Sequence, residues 1–265
     1  MVPLRPEGRI HALDQLSDVE SPELLAIRHA LIYARPSLWA DDAWHPRSVV
    51  LLRPEPNGRG HQAFGMGEPV IAVPWLMSRI RRTGVALVAP ANWTPWFEVA
   101  VGSNPFETSA IETWHDIAPP PRARQKTPEI SVERLNEHHL IGFQRAAPDW
   151  ALLGWGDFQS LLHQGAVFGV PHQGGFASLA WIFDQTEQFD SLGLFTVPRY
   201  RQLGLGRACA KALIGHIQHE RGKKPVWSTS ASNEPSRHLA RRLGFQEIHS
   251  QPLLRSTGRE PAIII

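Results

Sequence analysis

The residues best suited to chemistry form a glycine-rich loop in the last third of the chain. The run Arg201-Gln202-Leu203-Gly204-Leu205-Gly206 has the spacing R-x-x-G-x-G and leads into an amphipathic helix. Glycines let the backbone come close to an anion, and the first N–H groups of a helix point toward such a ligand. The spacing therefore predicts a phosphate site, and a pyrophosphate would fit there.

The cysteine and histidines of the chain give weaker indications. Cys209, the single cysteine, falls in the apolar helix after the loop, and we interpret it as a packing residue rather than a nucleophile. The histidines do not fall at metal-ligand spacing. We therefore predict no metal.

The elements that must position the loop are marked by apolar periodicity. Strands are predicted over 166–170, 176–183 and 191–197, and a strand over 225–230 follows the helix. The apolar stripe of that helix consists of Ala210, Leu213, Ile214 and Ile217. A second helix is predicted to be capped by Asn233, with Pro235 in its first turn and Gly244 at its end. Upstream, residues 130–135 predict a strand and residues 137–165 two helices.

The first half of the chain also mixes helix and strand. A helix is predicted from Ser21 to the residue before Pro36, and strands over 48–52 and 85–89. Residues 70–73 are interpreted as a strand and residues 74–82 as a short helix that begins at Pro74. This half has no glycine loop, so a phosphate site is expected only in the second half.

A proline-rich segment separates the two halves. The run over 118–128, APPPRARQKTP, has four prolines and three basic residues and no apolar periodicity. We therefore predict an N-terminal α/β domain over 1–118, a linker over 119–128 and a second domain over 129–265.

Composition limits the class of protein. Lys and Arg total 27 against 25 for Asp and Glu, which is not typical of a nucleic-acid-binding protein. One cysteine excludes an internal disulfide, and no stretch has the roughly 20 apolar residues of a membrane span. We expect a soluble, cytoplasmic, enzyme-like protein.

With these motifs in place, residues 129–253 resemble the GNAT superfamily of acyl-CoA-dependent acyltransferases. Two features carry the resemblance: the loop with its leading strand, and the run from Asn233 through Leu243-Gly244-Phe245, which is similar to a second signature of the family. The resemblance implies a mixed α/β sheet with a GNAT-like fold in the second half. For the N-terminal half, we hypothesise a degenerate relative of the same fold.

The resemblance also implies a CoA site. Backbone groups of the strand before the loop would bind the pantetheine arm, the loop and first helical turn would bind the pyrophosphate, and the second signature would help to hold the arm. The residues implied are Phe195, Thr196, Val197, Arg201, Gln202, Leu203, Gly204, Leu205, Gly206, Arg207, Asn233 and Ser236. A helix N-cap is an equally good interpretation of Asn233.

The implied reaction is attack of an amine on the thioester of acetyl-CoA, the cosubstrate. An ammonium group with a pKa near 10.4 must lose its proton at a cost of about 4.6 kcal/mol at pH 7, whereas an amine with a pKa near 8 requires about 1.4. Asp190 is the candidate base. It lies fourteen residues before Gly204, which is where histone-acetylating members of the superfamily place their base. A turn aspartate is the alternative interpretation. Asp184 and Glu187 are the fallback candidates.

The chain departs from the family at the leaving group. Many members have a tyrosine that protonates the thiolate at the position of Ala240. A thiol with a pKa near 8.5 leaves as a thiolate at a cost of about 2 kcal/mol at pH 7, so water or Ser236 is a sufficient proton source.

The sequence therefore predicts an N-acetyltransferase that acts on an amine in a ternary complex, without nucleic acid or membrane partners. The alternatives are a non-catalytic CoA-binding regulatory module, which Ala240 motivates, and an aminoacyl-tRNA-dependent transferase. The near-neutral charge argues against the last. Tryptophans are candidates for an acceptor pocket, with packing as the favoured interpretation: Trp93, Trp96, Trp150, Trp155 and Trp181.

Overall fold

The structure is a computed structural model that describes residues 1–15, 21–33, 37–54, 61–83, 85–88, 91–101, 106–115, 117 and 130–256. The chain divides into two compact units. The first unit comprises Met1–Ile111, Ser230–Ser232 and Ser250–Ile265, and the second comprises Glu112–Thr229 and Asn233–His249. The predicted linker over 119–128 lies outside the described residues, so the domain limits stay a prediction.

The described part of the first half forms six strands and four α-helices. In order, they are β1 (Val2–Pro3), α1 (Pro6–Gln15), α2 (Leu25–Ile32), β2 (Leu38–Ala40), β3 (Ser48–Pro54), β4 (His61–Gly67), α3 (Pro69–Thr83), β5 (Val85–Val88), α4 (Thr94–Val101) and β6 (Phe106–His115).

Residues 130–256, the described part of the second half, form six more strands and four more α-helices. They are β7 (Glu133–Arg134), α5 (Leu140–Ala146), α6 (Phe158–Gln164), β8 (Val167–His172), β9 (Gly175–Gln185), β10 (Phe189–Thr196), α7 (Leu205–Gly215), β11 (Lys224–Ser230), α8 (Glu234–Leu243) and β12 (Gln246–Ser256). A π-helical turn, His216–Glu220, continues α7.

The same order of elements therefore occurs twice. Each half runs strand, two helices, three strands, helix, strand, helix, strand. In each, one parallel pair is joined by a helical crossover: β4 with β5 through α3, and β10 with β11 through α7. This repetition supports the hypothesis that the N-terminal half is a relative of the same fold.

Each unit completes its sheet with a strand from the other half of the sequence. The first unit has the order β1-β2-β3-β4-β5-β12, where β12 runs antiparallel to β5 from Leu253 opposite Val88. The second unit has the order β7-β8-β9-β10-β11, with β6 next to β11. The mixed α/β fold predicted from the sequence is confirmed.

The secondary structure of the second half follows the predictions closely. Strands β8 to β11 and helices α5 to α8 all occur where they were expected, within a few residues at each end. The strand predicted over 130–135 shortens to β7. None of the described helices is both long and apolar enough to cross a membrane.

The prediction for residues 70–73 was wrong, because they belong to α3 rather than to a strand. The helix begins at Pro69, a position whose N–H would have no acceptor within the helix, so a proline costs no hydrogen bond there. Pro74 lies in the second turn of the same helix. Burial explains why the helix continues through this proline. Ala72, Val73 and Leu76 lie within two turns and pack in the core of the first unit.

Candidate functional site

The glycine loop joins β10 to α7 in the second unit. After a 3-10 turn, Pro198–Tyr200, the backbone takes left-handed conformations at Gln202 (φ 64°) and Gly204 (φ 80°). A non-glycine residue with positive φ is uncommon, and such residues concentrate at ligand sites. Gly204 is the N-cap of α7, so its conformation sets the direction in which the helix starts.

The first turn of α7 offers unpaired backbone donors. The first intrahelical hydrogen bond runs from Ala208 N to Gly204 O at 3.1 Å. The N–H groups before it have no intrahelical acceptor, and the helix dipole is positive at this end. Arg207 lies in this turn, and its Nε is buried without a partner among the described residues. An anion at this turn would satisfy both kinds of donor.

Gly206 holds α7 close to the sheet. A Cβ at this position would lie 2.9 Å from Thr196 Oγ1 on β10. That hydroxyl is 2.9 Å from Ser178 Oγ on β9, so the neighbouring side chain is itself held in place. The second glycine of the motif is therefore required for packing, whereas Gly204 is required for its positive φ.

The parallel pair β10–β11 opens part of the way along. Its register covers only Phe189 with Lys224, Asp190 with Pro225 and Ser191 with Val226. Strand β10 continues to Thr196 and pairs there with β9 alone. Both strands are described in full, so among the described residues the β11-facing edge of β10 is open from Leu192 onward. A ligand with amide groups could add to this edge as a further strand.

Alternation along β10 assigns its backbone groups to one edge or the other. Val197 N donates to Ala177 O at 3.0 Å, and Phe195 O accepts from Ser178 Oγ at 3.2 Å. The backbone N–H and C=O groups of Phe195 and Val197 therefore point toward β9. Those of Leu194 and Thr196 point toward the open edge. Of the three predicted pantetheine contacts, only Thr196 is on the open edge. Leu194 was missed because the hairpin register that decides this alternation is not readable from the sequence.

Arg201 also reaches the open edge. Its exposed side chain donates from Nε to Thr196 O at 3.2 Å. Gln202 and Leu203 are exposed in the loop, and Leu205 is half-buried at the start of α7. The structure therefore brings the predicted loop residues together around one helix end.

Asn233 and Ser236 both have structural partners at the start of α8. Asn233 Oδ1 accepts from Ser236 N at 3.2 Å, which confirms the predicted N-cap. Ser236 Oγ accepts from Trp227 Nε1 at 3.0 Å. Ala240 is fully buried, in a core cluster with Trp227, Leu243 and Phe245.

Asp190 lies at the start of β10 and is fully buried. Its oxygens form ion pairs with Arg221 Nε at 2.5 Å and with Lys223 Nζ at 3.2 Å. Arg221 Nη2 also donates to Gln185 Oε1. Both cations contact this buried carboxylate, so the geometry favours a structural role. The hypothesis that Asp190 is a base stays a prediction that its surroundings do not support.

The other reactive candidates have different surroundings. Asp184 is buried, and Glu187 is exposed at the tip of the β9–β10 hairpin. Burial raises the pKa of the Cys209 thiol to about 11, and its Sγ lies 3.5 Å from Ser178 O. A thiol with that pKa is a poor nucleophile at neutral pH, which agrees with its interpretation as a packing residue.

Within the described ranges, no group of three or more His, Cys, Asp or Glu side chains could hold a metal ion.

An open parallel strand pair beside a glycine loop and a helix N-terminus is the arrangement that the resemblance to the GNAT superfamily implies. The sequence profile of the GNAT acetyltransferase family matches residues 99–253, so the chain belongs to that family. No curated protein matches the chain.

Solved structures resemble the chain over nearly its whole length. A GCN5-related N-acetyltransferase-like protein from Streptococcus suis has a TM-score of 0.66 at 18% identity, and the match covers 94% of this chain and 98% of that one. A tandem GNAT protein from the clavulanic acid biosynthesis pathway has a TM-score of 0.62 at 12% identity, covering 98% of each chain. A GCN5-related N-acetyltransferase from Sphaerobacter thermophilus has a TM-score of 0.61 at 14% identity, covering 98% and 95%. At these identities the likeness shows the fold.

Proposed function

We propose that the second unit transfers an acetyl group from acetyl-CoA to an amine. The observation that carries this proposal is the open edge of β10 next to the glycine loop and the first turn of α7. The edge offers hydrogen bonds to the amides of a pantetheine arm, and the loop offers N–H groups to a pyrophosphate. One extended ligand with both parts satisfies both surfaces.

The contacts follow from the orientation of each group. Leu194 and Thr196 would bind the arm through their backbone, since they face the open edge. The backbone from Gln202 to Arg207 would surround the pyrophosphate, and Arg207 Nε would add a charge-assisted bond. Asn233 and Ser236 would border the arm while they keep their partners at the start of α8.

The chemistry would be direct transfer in a ternary complex. The amine nitrogen forms a bond to the carbonyl carbon, the C–S bond breaks, the thiolate leaves with the electron pair, and the extra amine proton passes to water. Asp190 is held by two cations, so we do not assign it this proton. An amine with a pKa near 8 would need only about 1.4 kcal/mol to reach its neutral form at pH 7. The site therefore favours weakly basic amines.

A second candidate function is a CoA-binding regulatory protein without transferase activity. Two observations favour it: Ala240 is buried in the core where many relatives have a tyrosine, and Asp190 is ion-paired. Thiol release from acetyl-CoA that depends on an added amine would exclude this candidate. A panel of amines that differ in pKa, assayed by thiol detection, would also identify the preferred acceptor class.

Binding is tested most sharply at Gly204. We expect Gly204→Glu to abolish acetyl-CoA binding in isothermal titration calorimetry, because a carboxylate would enter the pyrophosphate site. Gly222→Glu is the matched control, since Gly222 has a similar positive φ (66°) and no atom within 4 Å of a Cβ. Both variants place the same side chain on a left-handed backbone. Equal affinities for the two variants would contradict the proposed site.

A further inference from the structure

The open edge of β10 lies beside the indole ring of Trp181, which lies over this strand. Gly193 is the second residue of the open stretch, and its partner on β9 is Trp181. A Cβ on Gly193 would lie 2.4 Å from Trp181 Cε2 and 2.6 Å from Nε1. The pyrrole side of the ring therefore occupies the space that a side chain at position 193 would fill. The Nε1–H donor of Trp181 therefore lies beside the start of the open edge, next to the last β10–β11 pair, Ser191 with Val226.

The N–H of Trp181 is buried without a partner among the described residues. Three other buried tryptophans do have one: Trp93 Nε1 donates to Gly67 O, Trp155 Nε1 to Ile182 O and Trp227 Nε1 to Ser236 Oγ. Trp114 Nε1 is also without a partner among the described residues, but it lies in a core cluster with Leu192 and Leu194, whose side chains are on the opposite face of β10 from position 193. A buried donor without a partner destabilises the folded state. Such a cost calls for an explanation, and a bound ligand is one.

The direction of CoA in the proposed site identifies that ligand group. The pyrophosphate end lies at the loop, so the arm runs along β10 away from Thr196. It must end where β11 closes the opening, at the pair Ser191 with Val226. The thioester is at that end of the arm. Its carbonyl therefore comes next to Gly193, within reach of the indole that lies on this residue.

We propose that the Trp181 indole N–H donates a hydrogen bond to the thioester carbonyl oxygen and stabilises the negative charge that develops there during transfer. This inference rests on the proposed function. As the amine nitrogen bonds to the carbonyl carbon, the oxygen gains charge until the C–S bond breaks and the carbonyl re-forms. A fixed donor beside that oxygen lowers the barrier without having to reorganise.

The surrounding aromatic rings fix the indole. The half-buried Trp150 packs against Trp181 with ring centroids 5.2 Å apart, and against Phe183 at 6.0 Å. Trp150 belongs to the 3-10 turn Asp149–Leu152 between α5 and α6. The face on which the indole lies is thus lined with aromatic side chains. This assigns Trp181, one of the sequence candidates for an acceptor pocket, a role toward the acyl group.

The direct test is the indole N–H resonance of Trp181 in 15N-labelled full-length protein, assigned by its loss in Trp181→Phe. Acetyl-CoA should shift this resonance. CoA has a free thiol and no thioester carbonyl, so it should leave the resonance in place. Loop amides from Gly204 to Arg207 should shift with both ligands. Trp114 has the other described tryptophan Nε1 that is buried and unpartnered, so its resonance is the internal control.

Loop shifts with both ligands and an identical Trp181 resonance in both complexes would overturn this inference and leave the proposed function standing. No shift at the loop amides would overturn the proposed function, and this inference with it. In transfer assays, Trp181→Phe should lower kcat by about 10²-fold without a loss of CoA affinity, as the removal of one oxyanion donor does. Trp114→Phe should leave kcat unchanged. Equal kcat values for the two variants would also overturn the inference.

Discussion

Trp93 Nε1 donates a hydrogen bond of 2.7 Å to the carbonyl oxygen of Gly67 in the first unit. Gly67 ends β4, which pairs with the described part of β5 as far as Phe64 opposite Val88. Glu68 N donates to Arg47 O, so by alternation the backbone N–H and C=O of Gly67 point away from β3, to the side of β4 on which β5 lies. The fully buried indole also lies on Gly65, where a Cβ would be 2.2 Å from the ring. An aromatic side chain thus occupies the place that corresponds to the open edge of β10.

We therefore predict that the chain binds one acetyl-CoA, in the second unit. Isothermal titration calorimetry should give a stoichiometry of one for the unmodified protein, and Gly204→Glu should remove all binding. Residual binding at full stoichiometry in Gly204→Glu would mean that the first unit also binds the ligand.

Gly206→Ala should weaken both stability and acetyl-CoA binding. The new methyl would lie 2.9 Å from Thr196 Oγ1, so α7 must move or the Thr196–Ser178 contact must break. Gly215→Ala is the matched control on the same helix, because a Cβ there meets no atom within 4 Å. That change should stabilise by about 0.4–1 kcal/mol. Urea denaturation would measure the free energy of unfolding, and calorimetry the affinity for acetyl-CoA. Equal changes in these quantities for Gly206→Ala and Gly215→Ala would contradict the packing role of Gly206.

Asp190→Ala should destabilise the protein by about 3–5 kcal/mol, because it leaves Arg221 and Lys223 without their shared carboxylate in a largely buried site. Urea denaturation measures the loss. Glu187→Ala, on the exposed tip of the same hairpin, should change stability little. The base hypothesis makes a different prediction: Asp190→Asn would stay folded and lose the pH dependence of kcat.

Stability should fall on acidification partly through His216. Burial lowers the pKa of His216, and the neighbouring Glu220, whose Oε2 is 2.9 Å from Nδ1, opposes this shift. The charges of Arg134 and Arg221 lower it further. The unfolded chain therefore binds the proton more readily, so stability is lost as pH falls below about 6.5, the ordinary histidine value. His216→Phe should flatten the stability profile between about pH 7.5 and 5.5, where an unchanged slope would contradict the assignment.

Local signals made the second half readable from its sequence. The glycine loop that leads into α7, the cap at Asn233 and the end of α8 at Gly244 depend on neighbours within a few residues, and all three were predicted. The short apolar run over 70–73 was misassigned because such a run fits a strand or a buried helix equally well.

Features that depend on distant pairing were not readable. The alternation that turns Leu194 rather than Phe195 toward the open edge is decided by the β9 register. The ion pairs of Asp190 join residues more than thirty positions apart, so the sequence around Asp190 carries no sign of them. The contact between Trp93 and Gly67 likewise requires the folded sheet.

The pairing of β12 with β5 affects the order in which the protein can be completed during synthesis. The first unit needs residues 250–256 at the edge of its sheet, although the rest of its strands are made well before them. At about 5–20 residues per second, this final strand emerges on the order of ten seconds after β6. Until then β5 has no β12 neighbour, and the nascent first half presents an unpaired strand edge on which a chaperone or a neighbouring chain can act.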